Sequence, residues 1–190
     1  NDGLIRLSSN ENAFGPSAKA VEAMQGELFN LCRYADPTAS VLKEKIAKQE
    51  GVSVDQIVVT NGSSPILFGY ADWITQNGGK LVTSMATYEG VPRGAEFMGA
   101  DVTYVPLDAN MDFDLDAIEA AVTEDTTAVY ICNPNNPTGR ELDPAKLTAF
   151  AKRVSQKTQV FIDEAYIDFS TQESWVNRLN EFPNLNINYS

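Results

Sequence analysis

From residue 51 onward, short apolar runs alternate with amphipathic stretches. Ile57–Thr60, Lys80–Ser84, Val102–Val105, Ala128–Cys132, Gln159–Asp163 and Leu185–Tyr189 carry the apolar, β-branched character of strands. Between them, Pro65–Ile74, Gly90–Met98, Leu115–Ala121, Pro144–Ser155 and Glu173–Glu181 space their apolar residues as helices do. Strands that are apolar almost throughout belong in a sheet buried on both sides. Their regular alternation with helices predicts an α/β fold, a mostly parallel sheet with helices on both faces. Ahead of this pattern, residues 1–16 are polar and turn-rich and read as an extended arm. Ser17 is placed to cap a helix over Ala18–Leu28, a loop follows near Arg33–Pro37, and a second helix near Ala39–Gln49 is ended by Gly51. The reading divides the chain into an arm and first helix over 1–35 and a large domain over 36–190.

The most informative run is Thr158–Asp168, where Val160–Ile162 stops abruptly at Asp163 and Glu164. An acid at the end of a buried parallel strand stands at the carboxyl edge of the sheet, where open α/β folds bind ligands. A fixed negative charge there is costly unless something positive meets it. A protonated pyridine nitrogen is one such partner, and Tyr166 could reach a phenolic oxygen on the same ring. The plainer alternative is an acid that caps a nearby helix or pairs with a surface base.

Three other predicted strand ends carry chemistry. Asn61-Gly62-Ser63-Ser64 lies between a strand and a helix, a geometry that offers backbone N–H groups and hydroxyls to an anion. Ser64 as N-cap with Pro65 behind it is equally the ordinary grammar of a helix start. Asn133-Pro134-Asn135-Asn136-Pro137-Thr138-Gly139 makes a stiff turn that could hold the Asn136 amide toward a ligand, or simply close on itself through Asx hydrogen bonds. Tyr88 could lie flat on a planar ring or be a half-buried aromatic. Tyr34 is a phosphate donor or loop packing. Together these ends offer an anion cradle, a stacking ring, an amide, an acid and a phenol, the groups that a phosphorylated aromatic cofactor needs.

Composition narrows the partners. The 190 residues suffice for one domain with a substantial core, and a net charge of −12 argues against nucleic acid and anionic membranes. The sequence has no histidine, which excludes an imidazole base, a Ser–His pair and histidine metal ligands within this chain. Cys32 and Cys132 are far apart, lack metal-site spacing and read as small buried hydrophobes in a reducing compartment, the alternative being a disulfide; the compartment is cytoplasmic by default. No apolar run is long enough to span a membrane, and Asn1 onward lacks the features of a signal peptide.

The motifs resemble those of fold-type I pyridoxal-phosphate (PLP) aminotransferases, and most closely the histidinol-phosphate aminotransferases. The resemblance rests on Leu7-Ser8-Ser9-Asn10-Glu11-Asn12-Ala13-Phe14-Gly15-Pro16, Arg33-Tyr34, Asn61-Gly62-Ser63, Asn133–Gly139 and Asp163-Glu164-Ala165-Tyr166, in the family's order. It implies the cofactor pyridoxal 5'-phosphate. It implies that Asp163 keeps the pyridine nitrogen protonated, that Tyr166 and Asn136 bond the phenolic oxygen, and that Tyr88 stacks on the ring. Gly62, Ser63 and Ser64 would hold the phosphate. Tyr34 would reach the cofactor of a neighbouring subunit, which implies a homodimer with shared sites, and Asn12 would lie near the substrate. The implied reaction moves an amino group between an amino acid or amine, histidinol phosphate being one candidate, and a 2-oxo acid. The same fold and cofactor also serve decarboxylases and lyases, and a non-catalytic PLP-binding fragment is a further alternative.

Two departures stand out. Pro65 lacks the N–H that the family has there. None of Lys19, Lys43, Lys45, Lys48, Lys80, Lys146, Lys152 or Lys157 is at the position of the lysine that the family attaches to its cofactor. By spacing, that lysine falls about three residues beyond Ser190. The resemblance also places an antiparallel strand, from beyond the same point, between Ile57–Thr60 and Leu185–Tyr189. The chain thus reads as the front half of a longer, catalytically complete polypeptide.

Overall fold

A computed structural model describes Gly3, Ile5 and residues 8–190. Leu7 and residues 1, 2, 4 and 6 of the expected arm lie outside the described residues. The chain divides into two compact units, Asn1–Ser40 and Val41–Ser190. In the first, Ser17 Oγ accepts from the Ala20 amide at 3.2 Å and starts α1, Ala18–Glu27, which a 3₁₀ turn over Leu28–Asn30 continues. No residue of α1 is buried, and Phe14, Phe29 and Tyr34 are almost wholly exposed. Cys32 is exposed as well, against the expectation of a buried thiol, because none of the described residues of this unit is buried and they offer it no apolar interior. Asp36 accepts from the hydroxyls and amides of Ser40 and Thr38, bonds that hold its carboxyl well below the usual range.

The second unit is a layered α/β structure. After α2 (Ser40–Glu50) come α3 (Ser64–Gln76), β1 (Lys80–Ser84), α4 (Gly90–Phe97), β2 (Asp101–Val105), α5 (Leu115–Ala121), β3 (Ala128–Cys132), α6 (Pro144–Val154), β4 (Gln159–Asp163) and β5 (Leu185–Asn188). The five strands pair in the order β2-β1-β3-β4-β5, all parallel. Every residue of β3 is buried, so both faces of the sheet's centre are covered. Leu147, Phe150 and Val154 of α6 join Val129, Ile131, Val160 and Ile162 in one core. That continuous burial is why the central strands read as unbroken apolar runs rather than as alternations.

Two predicted elements differ. Ile57–Thr60 starts extended at Ile57 but pairs with no strand among the described residues. A strand exists only through a hydrogen-bonded neighbour. Here Ile57 and Val58 face Leu185, Ile187 and Tyr189 of the β5 region across a cleft of 680 Å³, with no ladder between them. Glu173–Glu181 is not an α-helix either, only a 3₁₀ turn over Trp175–Arg178. Its Asn residues favour turns, and Pro183 bars helical backbone at Phe182. Arg178 lies over the Trp175 ring at 4.5 Å and donates to Thr148 of α6 at 2.7 Å, which fixes the turn as a packed loop.

Candidate active site

The parallel sheet brings the ends of four strands to one edge. Register sets Asp163 beside Cys132 on one side and Asn188 on the other, with Tyr130 beside Phe161 one pleat back. Strand alternation puts all of these on a single face. The helix α3 covers that face: Tyr70 stacks on Phe161 with ring centroids 4.1 Å apart. Because α3 leads down to the start of β1, its N-terminus, Gly62-Ser63-Ser64, stands at the same carboxyl edge as Asp163.

Asp163 is the centre of this edge and is 1% exposed. Its Oδ2 accepts from the Tyr130 hydroxyl at 2.8 Å, and its Oδ1 accepts from Asn188 Nδ2 at 2.7 Å and the Ala165 amide at 3.2 Å. Among the described residues no cation pairs with it. Neighbouring Glu164 is also buried, but its partners are structural: Ser174 Oγ donates at 2.6 Å and the Trp175 amide at 2.9 Å. Burial lifts its carboxyl to about 7, against the pull of those two bonds.

The turn after β3 is held through Asn135. Its Nδ2 donates to Ala86 O and Thr138 Oγ1, each at 2.9 Å, while Gly139 N returns to Asn135 O at 2.7 Å. This ties the turn to the loop that carries Tyr88. Asn133 Oδ1 accepts from Leu142 N at 2.8 Å and fixes the turn's other limb. Asn136, the residue singled out in the sequence, is half-buried, and its side-chain amide makes no hydrogen bond to a described residue. Cys132 lies beneath this assembly, in reach of the Asn136 and Tyr88 backbones and of the Tyr130 phenol. Burial, with the Asp163 charge beside it, pushes its thiol up to about 12, so it is an inert packing group.

Tyr88 is half-buried, and its ring lies over Gly90, where an added Cβ would stand 2.5 Å from Cε1. Only glycine leaves that place to the ring. At the start of α3, Gly62 takes a φ of +73° and Ser63, not Ser64, is the N-cap. The Ser63 hydroxyl makes no capping bond, so it remains available, and the amides of the first turn have no intrahelical acceptor. Tyr166 is half-buried and begins the 3₁₀ turn Ile167–Phe169. Asn12 and Tyr34 belong to the other unit. Asn12 is engaged in its own turn, donating to Gly15 O and accepting from Phe14 N, and Tyr34 is exposed.

Near this edge the buried atoms Thr87 Oγ1, Asn135 Oδ1 and Asn188 Oδ1 have no hydrogen-bond partner among the described residues. With the uncompensated charge of Asp163 and the open start of α3, they describe a site that fits a group bringing a cation, an anion and a flat ring. Tyr130, Asn188 and Asn135 were not singled out from the sequence. Tyr130 and Cys132 share a strand face at i and i+2, a signal that was present. Asn188 could be found only through the β4–β5 register.

The comparisons agree with this architecture. The model of the family "Aminotransferase class I and II" matches residues 2–188. Histidinol-phosphate aminotransferase of Staphylococcus carnosus is 37% identical over 184 residues, which are 95% of this chain and 52% of that protein. The crystal structure of the histidinol-phosphate aminotransferase of Clostridium acetobutylicum superposes with a TM-score of 0.81 at 26% identity, over 96% of this chain and 54% of that one. That of Sinorhizobium meliloti, in complex with pyridoxal-5'-phosphate, superposes with a TM-score of 0.79 at 28% identity, over 85% and 44%. The chain spans about half the length of the relatives it matches. Fold, strand-end site and similarity together establish that the chain belongs to the aminotransferase class I and II family, on its histidinol-phosphate aminotransferase side.

Proposed function

We propose that this chain is the cofactor-binding half of a PLP-dependent aminotransferase that moves an amino group between an amino acid or amine and a 2-oxo acid, with histidinol phosphate the first donor to try. The observation that carries the reading is Asp163: a buried carboxylate at a strand end, gripped by hydrogen-bond donors yet facing no cation among the described residues. Bound pyridoxal phosphate supplies an electron sink for the bonds at the substrate carbon. Asp163 holds a proton on the ring nitrogen. Gly62, Ser63 and Ser64 hold the phosphate with the N–H groups at the start of α3. Asn136 and Tyr166 bond the phenolic oxygen, and Tyr88 covers the ring and excludes water from it.

Lys80 and Lys157 stand at the opposite, amino edge of the sheet, and the other lysines lie on α1, α2 and α6. The lysine that carries the proton at the substrate carbon is therefore supplied from outside these residues. Tyr34 serves the cofactor of a second copy, and Asn12 serves the substrate, in a cytoplasmic homodimer with shared sites. The similarity to histidinol-phosphate aminotransferases supports this donor class, and the Sinorhizobium meliloti complex supports the cofactor.

The test is an absorbance titration of the full-length polypeptide with pyridoxal phosphate, followed by addition of histidinol phosphate and a 2-oxo acid. Saturable binding that Asp163→Ala abolishes, with conversion of the oxo acid to its amino acid, is the expected result. Release of carbon dioxide without amino transfer would assign the site to a decarboxylase instead.

A further inference from the structure

We propose that Tyr130 and Asn188 are positioning residues that aim the Asp163 carboxylate at the cofactor's ring nitrogen. The proposal rests on the reading of Asp163 given above. The terminal torsion of an aspartate is broad and roughly two-fold, so one donor leaves the carboxylate plane free to swivel. Here the two flanking strands grip different oxygens: Tyr130 on β3 donates to Oδ2 at 2.8 Å, and Asn188 on β5 donates to Oδ1 at 2.7 Å. Oδ1 also accepts from the Ala165 amide at 3.2 Å, which fills it, so the acceptor capacity that is left belongs to Oδ2, and with both sides occupied by strands it turns toward the ligand edge.

Each donor has a second property that a purely structural residue would not need. Tyr130 is fully buried. Burial, then the neighbouring Cys132 and Asp163, push its phenol well above the ordinary range, in the direction that keeps it a donor to the carboxylate. Asn188 is 1% exposed, and its amide can face the acid only through Nδ2, because a carboxylate oxygen only accepts. That orientation leaves Asn188 Oδ1 buried and unpartnered, within one amide's width of Asp163. A bare acceptor beside a carboxylate is relieved by the electropositive edge of a protonated ring. If structure alone mattered, an apolar residue like the flanking Ile131 and Ile187 would serve at either position without an orphaned atom.

The test uses the apoprotein of the full-length polypeptide and two probes: pyridoxal phosphate, and its 1-deaza analogue with C–H in place of the ring nitrogen. Wild-type protein should prefer pyridoxal phosphate by about a hundredfold in dissociation constant, the value of a buried charge pair. Tyr130→Phe and Asn188→Leu should each reduce that preference by about tenfold, the size of one hydrogen bond to a charged group, and leave the analogue's affinity nearly unchanged. Should the wild type show no preference, the reading of Asp163 falls and this proposal with it. A wild-type preference that both variants keep in full overturns the positioning role alone, even if the variants bind both probes more weakly. The variants lie on different strands and are read one by one: a folded variant that keeps the preference in full removes its own residue from the positioning role, and one that loses it confirms that residue.

Discussion

Asp163 and Glu164 stand side by side at the end of β4, both almost fully buried, and strand alternation sends their side chains apart. Glu164 meets Ser174 and the Trp175 amide, and so fastens the 3₁₀ loop over Trp175–Arg178 to the sheet. Its bonds are local and complete, and they explain why it is there. Asp163 meets Tyr130 and Asn188 from two other strands, and those donors hold both of its oxygens yet supply no cation, nor does any other described residue. Two buried acids one residue apart thus carry different meanings, and what separates them is what their partners leave undone. Glu164 closes a loop; Asp163 is held for something that has still to arrive.

The largest expected effect breaks the Asp163 side. Asp163→Asn should weaken binding of pyridoxal phosphate to the full-length polypeptide by about a hundredfold or more, because the variant cannot pair with a cationic ring. Its melting temperature should change far less than its affinity. A titration followed by thermal unfolding checks both. Glu164→Ala should do the opposite. It leaves the buried Trp175 amide without an acceptor and the half-buried Ser174 hydroxyl without its carboxylate partner, and should lower unfolding stability by roughly 2–3 kcal/mol in urea while the discrimination against the 1-deaza analogue stays intact.

The pH dependence sharpens the same contrast. Burial lifts Glu164 from 4.5 to about 7, so the folded state holds a proton over a range in which the unfolded state has released it. Its contribution is therefore present below about 4.5 and is lost as pH rises through about 7. Relative to Glu164→Gln, the parent protein should lose at most about 3 kcal/mol of stability across that window, measured by denaturant unfolding at stepped pH. A smaller change is expected from Gly90→Ala. The new methyl would stand 2.5 Å from Tyr88 Cε1, so the ring must move, and cofactor affinity should fall about tenfold. Gly26→Ala, which meets nothing within 4 Å, is the control. Ser63→Ala should cost the least, about fivefold for pyridoxal phosphate and nothing for unphosphorylated pyridoxal. Because the Ser63 hydroxyl caps nothing, the stability of α3 should not change.

The sheet was legible in the sequence wherever a strand was buried on both sides, since burial writes a continuous apolar run. Lys80–Ser84, Ala128–Cys132 and Gln159–Asp163 begin and end where the pattern places them. Ile57–Thr60 has the same composition but lacks a partner, and no local pattern records whether a partner exists. The acid at the end of β4 was visible because charge interrupts an apolar run. Its donors were hidden for a different reason: Tyr130 and Asn188 lie 33 and 25 residues away and meet it only through strand register. The role of Glu164 is not legible in the sequence, because its partners belong to a segment that reads as an α-helix and folds as a packed turn. Asn136 stood out in its motif, whereas Asn135 makes the bonds that hold the turn, a distinction that only the direction of each amide decides.

The most direct measurement is a crystal structure of the full-length polypeptide grown with pyridoxal phosphate. The account predicts the ring nitrogen at about 2.8 Å from an Asp163 oxygen, with Tyr130 and Asn188 still bonded to that carboxylate and the phosphate at Gly62-Ser63-Ser64. A ring whose nitrogen points elsewhere, or an Asp163 paired with a lysine or arginine of the polypeptide, would contradict it.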